Sequence, residues 1–127
     1  MFFDWEVVRL RQRMPESLLQ FSQSASRILV VPTRVFQKIK ARHPTDVTWL
    51  ERLGEILAGW EYVGLSPKGI ERLEVYSRLD GVWCMAVIRL AETDAAVNVL
   101  ITLHRVYERK VRGRVQDGYL KARPERK

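Results

Sequence analysis

Cysteine occurs once, at Cys84, and histidine only twice, at His43 and His104. One thiol cannot close an internal disulfide, and two histidines with one cysteine make no obvious zinc-ligand set, so disulfide-scaffold and structural-zinc readings fall first. No apolar run approaches the roughly 18 residues a membrane helix requires. The opening Met1-Phe2-Phe3-Asp4-Trp5-Glu6 places acids where a secretory leader would be basic. These absences set the expectation of a cytoplasmic chain with no membrane partner, no metal and no cofactor. A length of 127 residues suffices for one core and not for two, which argues against large multidomain enzymes. The 46% hydrophobic and 29% charged content is that of a folded chain, not of a disordered or coiled-coil one.

Acidic residues are also few, 15 against 22 Lys and Arg, and the imbalance is local. Residues 105–127 hold nine basic groups (Arg105, Arg109, Lys110, Arg112, Arg114, Lys121, Arg123, Arg126, Lys127) and three acids, whereas residues 1–104 hold thirteen and twelve. A basic strip after a nearly neutral domain is the electrostatic footprint of a phosphate-backbone binder, because each cation that meets a phosphate releases condensed counterions. A solvated tail that only aids solubility has the same composition.

The first half reads as helical around one short strand. Pro15 followed by Glu16, Leu18, Leu19 and Phe21 predicts a short helix fraying through Ser22-Gln23-Ser24. Ile28-Leu29-Val30-Val31 is a β-branched run ended by Pro32, after which Val35, Phe36 and Ile39 share a helical face. Pro44 disfavours helical geometry at His43, so that helix stops there with the imidazole at its exit, facing a cleft. A third helix carries Trp49, Leu50, Leu53, Ile56 and Leu57, with Thr48 and Glu51 as a capping box and Gly59 as the stop.

The second half reads as sheet. Trp60 to Leu65 leads into a turn at Ser66-Pro67-Lys68-Gly69, and strands follow over 70–79, 82–91 and 96–104. The class is α+β, with N-terminal helices packed on one face of an antiparallel, roughly four-stranded meander. Asp80-Gly81 is a strong hairpin signal and sets Leu79 opposite Val82. Ser77 then faces Cys84, Val75 faces Ala86 and Leu73 faces Ile88, an apolar or small set that makes the core and buries the Cys84 thiol. The other face collects Arg78 with Trp83, Tyr76 with Met85, Glu74 with Val87 and Arg72 with Arg89. For Val97, Val99, Ile101 and Leu103 to reach the core, Val99 must pair with Ile88, with a loop at 92–95. That register sets Thr102 beside Met85 and Tyr76, and His104 beside Trp83 and Arg78.

An open sheet face bearing His104, Arg78, Tyr76 and Thr102 has the groups that metal-free cleavage of an RNA phosphodiester needs: a base, cations and an acid. Aromatic neighbours on that face suit stacking of splayed bases. Polar residues also alternate with core ones on any wet antiparallel face.

Val30-Val31-Pro32 leading into a helix that ends Arg42-His43-Pro44, then a Trp/Leu-rich helix, then a late strand reading Val99-Leu100-Ile101-Thr102, resembles the phage-associated branch of the barnase-EndoU-colicin-RelE class of nucleases. The likeness spans roughly residues 28–110, which sets off an N-terminal segment, 1–27, and a basic tail, 111–127. It implies a small toxin-type or phage-effector endoribonuclease that attacks phosphorus with the 2′-hydroxyl. The implied catalytic residues are His43, Tyr76 or Arg78, and Thr102; the sheet-face register adds His104 as a further proton-transfer or stacking group, and the basic strip sets Arg105, Arg109, Lys110, Arg112 and Arg114 along the RNA. Leu103-His104-Arg105 departs from the small residues and proline common after that threonine. An acidic inhibitor protein is the expected partner besides RNA. The rival readings are a nucleic-acid-binding module without chemistry and an adaptor that docks a protein on Trp83 and Met85.

Overall fold

The structure, a computed structural model, describes residues 8–22, 24–65, 72–91 and 96–124. In chain order the elements are β1 (Val8–Arg13), α1 (Glu16–Ser22), β2 (Ile28–Pro32), α2 (Thr33–Arg42), a 3-10 helix (Val47–Arg52), α3 (Leu53–Ala58), β3 (Trp60–Leu65), β4 (Arg72–Leu79), β5 (Val82–Arg89), β6 (Asn98–Arg105), α4 (Glu108–Gln116) and β7 (Lys121–Ala122). The expected turn at 66–69 and loop at 92–95 lie outside the described residues.

Local chemistry accounts for most boundaries. The helix after Pro15 forms, its first turn carrying Glu16, and α2 ends where Pro44 requires, with the His43 N–H bonded to the Ile39 carbonyl. The capping box at Thr48 does not form. The chain instead enters through Asp46 as a 3-10 turn and becomes α-helical only at Leu53. Asp46 is 5% exposed because its carboxylate is used elsewhere, on Arg105.

The α+β class holds, but the sheet is larger and mixed. Its seven strands run in the order β1-β2-β6-β5-β4-β3-β7, and β2 lies parallel to β6. The four-stranded antiparallel meander is therefore corrected: the N-terminal segment adds β1, which pairs antiparallel with β2, and β7 joins β3. Buried Asn98 ties the loop before β2 to β6 by donating to the Ser26 and Ile28 carbonyls at 2.8 and 3.0 Å.

Between β4 and β5 the register is the expected one from Leu79↔Val82 to Arg72↔Arg89. Asp80 and Gly81 have φ of 53° and 78°, left-handed values that an Asp-Gly pair adopts cheaply. The next register differs. Ile88 pairs with Leu100 instead of Val99, and an irregularity between Val87 and Ile88 then moves the pairing again, to Val87↔Thr102 and Met85↔His104. The bulge turns Leu100 and Leu103 into the main core and leaves Ile101 on the opposite side.

The expectation of helices on one face is also corrected. The main core joins Leu73, Val75, Cys84, Ala86 and Ile88 of the sheet to Leu18, Val35, Ile39, Leu53, Ile56 and Leu57 of the helices before it. On the other face Tyr76, Trp83, Met85 and Val87 pack beneath Val111 of α4 and Leu120. The 110/111 boundary thus falls inside α4. Gly64 is needed there, since a Cβ would lie 2.4 Å from the Tyr119 carbonyl oxygen as the C-terminal segment crosses β3.

Candidate active site

Five residues, His43, Tyr76, Arg78, Thr102 and His104, carry the chemistry expected from the sequence. The structure divides them into two groups. His43 and His104, 61 positions apart in the chain, stack with ring centroids 4.7 Å apart and planes 21° from parallel. Thr102 precedes His104 by two positions on β6 and is half-buried. The expected neighbours of these residues are corrected by the bulge, so that Thr102 lies across from Val87 and His104 across from Met85.

The histidines meet because α2 occupies the edge of β6. β2 pairs with β6 only through Asn98 and Val99. Beyond that point α2 packs against the strand, and Lys38 Nζ donates to the Ile101 carbonyl at 2.7 Å, filling a ladder position. Two further bonds fix the exit of α2. The Asp46 N–H donates to the His43 carbonyl at 2.8 Å, and the Asp46 carboxylate accepts from Arg105 Nε at 2.6 Å and from the Arg105 main-chain N–H at 3.2 Å. The loop holding His43 is thereby clamped to the strand residue next to His104. His104 Nδ1 lies 2.9 Å from the Arg105 carbonyl oxygen. A carbonyl only accepts, so Nδ1 carries the proton and the neutral ring keeps its lone pair on Nε2.

Tyr76 belongs to a different environment. It is fully buried, its hydroxyl donates to Glu74 Oε1 at 2.9 Å, and Arg114 donates to the same oxygen at 2.6 Å. Burial, then the bond to Glu74, raises the phenol above its ordinary range. Arg78 lies over the Trp83 ring at 4.6 Å, reaches Glu61 at 3.4 Å, and borders a pocket of about 360 Å³ with Tyr62, Val111 and Arg112. The open face expected to unite Tyr76 and Arg78 with Thr102 and His104 is closed by α4 over Tyr76. Trp83 and Met85, 7% and 5% exposed, offer no docking surface for a protein partner.

The basic strip divides similarly. Arg105 is held by Asp46 and by Thr45, and Arg114 by Glu74, so both tie elements together. Arg109, Lys110 and Arg112 are exposed on α4, with Arg109 over the Tyr107 ring and Arg112 paired to Glu108. Cys84 is buried on the main core face, and burial pushes its thiol up to about 11, so it stays protonated and serves as packing. Among the described residues no group of three His, Cys, Asp or Glu side chains gathers as metal ligands.

Sequence reasoning missed Lys38. Its signal was present, since Arg34, Lys38 and Arg42 recur every four residues and form a basic stripe on α2. It also missed Glu74 as the acceptor for Tyr76 and Arg114, a pairing between residues 40 positions apart. Comparison with protein-family models, with curated proteins and with solved structures found no match.

Proposed function

We propose that the chain is a small endoribonuclease that needs no metal and works through His43 and His104. The stack of two partly exposed imidazoles beside Thr102 and Lys38 carries this reading. Two imidazoles side by side supply the two proton roles that such a cleavage needs, one ring to accept and the other to donate. His104 Nε2 takes the proton of a 2′-hydroxyl as that oxygen bonds to phosphorus. The phosphorus–5′-oxygen bond breaks, and His43 gives its proton to the departing oxygen, leaving a 2′,3′-cyclic phosphate. Thr102 donates to a non-bridging oxygen, and Lys38 offsets charge on the phosphorane. The nuclease resemblance points to the same His-Pro helix exit and late-strand threonine. In an organism that makes such an enzyme, an acidic protein covering the basic edge is the fitting inhibitor.

Purified protein incubated with mixed RNA in EDTA is expected to yield ends carrying cyclic phosphate. Binding without cutting would favour the nucleic-acid-binding module, the second reading, for which the exposed Arg109, Lys110 and Arg112 on α4 speak.

A further inference from the structure

A hollow of about 370 Å³ adjoins the histidine pair, lined by Asp46, Val82, Arg105, Val106 and Tyr107. Two of these residues are bonded to the histidines themselves. The Asp46 N–H donates to the His43 carbonyl at 2.8 Å, and His104 Nδ1 donates to the Arg105 carbonyl at 2.9 Å. The charges in the wall are already matched: Asp46 is 5% exposed and accepts from Arg105 Nε at 2.6 Å, while Thr45 Oγ1 accepts from Arg105 Nη2 at 2.8 Å. Those two bonds fix the plane of the guanidinium and leave its other N–H groups for acceptors on a ligand. Tyr107 is the outlier. At 76% exposure it is the most open of the large apolar side chains among the described residues. It stands at the entry of α4 with an extended backbone, φ −78° and ψ 146°, and its side chain makes no capping bond, although serine, threonine, aspartate and asparagine at such a position would make one. The Arg109 guanidinium lies over the ring, 5.5 Å from its centroid.

We propose that Tyr107 is a stacking platform for one unpaired base of an RNA strand, that of the nucleotide next to the phosphate held at His43 and His104, with Arg105 bonding acceptors on the base edge. The proposal deepens the nuclease reading and rests on it for the neighbouring phosphate; the base site itself rests on the ring and the hollow. Tyr107 follows His104 by three residues, a span of at most about 10 Å, so the ring stays within reach of a nucleotide joined to that phosphate. With Arg109 over one face of the ring, the other face remains for a base, and unpaired bases are bound by stacking of this kind. Val82 and Val106 add an apolar flank that fits a flat ring better than a second phosphate. A base seated there would take the exposed phenol ring out of water, which the fold alone does not do.

The test titrates the full chain with three deoxydinucleotides: one with both bases, one lacking the 5′ base and one lacking the 3′ base. None has a 2′-hydroxyl, so none can be cleaved. All three carry one phosphate, so their salt slopes should agree and any difference in affinity reports a base. The wild type is expected to lose about 10-fold in affinity on removal of one of the two bases. Tyr107→Ala is expected to bind all three probes within about twofold of one another, and Tyr107→Phe, which keeps the ring, to retain the difference. Tyr119 is the control, an exposed tyrosine with Arg114 5.5 Å from its ring centroid but beside a different hollow, at Gly64 and Leu65. Tyr119→Ala should retain the difference. A base preference that survives in Tyr107→Ala overturns the site, as does its absence in the wild type. A preference lost in Tyr107→Ala supports the site even if RNA in EDTA stays intact and the nuclease reading fails. Cleavage of RNA with the preference unaltered in Tyr107→Ala would leave the nuclease and remove the base site.

Discussion

The two ends of one sheet face carry similar side chains and have opposite fates. At the β3 and β4 end, Tyr76, Arg78 and Trp83 lie under or beside α4, the tyrosine fully buried and bonded to Glu74. At the β6 edge, His104 and Thr102 stay partly exposed and His43 arrives from α2. Both ends present aromatic and cationic groups, so residue type does not distinguish them. What covers each end does. An apolar residue at Val111 seals one, and the exit of a helix borders the other. A hydroxyl or guanidinium beneath a packed helix becomes part of the fold's polar bookkeeping, while the same group beside a loop remains available to a ligand.

The sharpest way to break this comparison is kinetic. His43→Ala is expected to lower RNA cleavage by roughly 10²- to 10⁴-fold, the usual size of a general acid–base contribution, with the melting temperature nearly unchanged. Arg78→Ala should change the rate less than about threefold, because that arginine serves the Trp83 ring and Glu61 and not the reacting phosphate. Equal losses in the two variants would show that the ends of the face act as one site.

The covered end should respond in stability instead. Arg114→Ala leaves the Glu74 carboxylate buried with only Tyr76 as donor, at a cost of about 3 kcal/mol read from urea unfolding. Its cleavage rate per folded molecule should stay that of the wild type. A large rate loss without unfolding would place Arg114 at the RNA.

The smallest expected effect is a pH dependence confined to that end. The native fold holds the Tyr76 phenol neutral above its ordinary value of 10.0, so the unfolded chain loses that proton first as pH rises. The stabilisation is fully present below 10.0 and declines above it, toward the raised native value. Tyr76→Phe removes the titration and one hydrogen bond, at a cost of about 1 kcal/mol at neutral pH. The wild-type advantage should shrink in melts carried past pH 10.0. A constant difference would mean that the hydroxyl is not enclosed as described.

Short-range chemistry was legible because it acts within a few residues. The exit of α2 at His43, the Asp80-Gly81 turn and the eight pairs between β4 and β5 all follow from proline, left-handed glycine and a side-chain period of two. The same reading placed Cys84 in the core and Tyr76 on the opposite face, both correctly. It erred at β6, where Ile88 pairs one residue away from its expected partner and a bulge, which has no signature in composition, then shifts the pairing again. It also treated 111–127 as a tail, since a helix with one buried valine among five basic and acidic neighbours looks solvated until its partner face is known.

By itself, then, the order of residues determined α1, β2, α2 and the strands β3 to β6, the hairpin register and which side chains share a face of β4 and β5, but not β1, α4 or β7. Only the tertiary structure decided which of those faces is covered, that α2 replaces a strand along β6, and that His43 meets His104. Those outcomes depend on contacts between residues tens of positions apart, such as Lys38 with Ile101, Asp46 with Arg105 and Glu74 with Arg114. Their geometry is set by how whole layers pack, and no local preference encodes it.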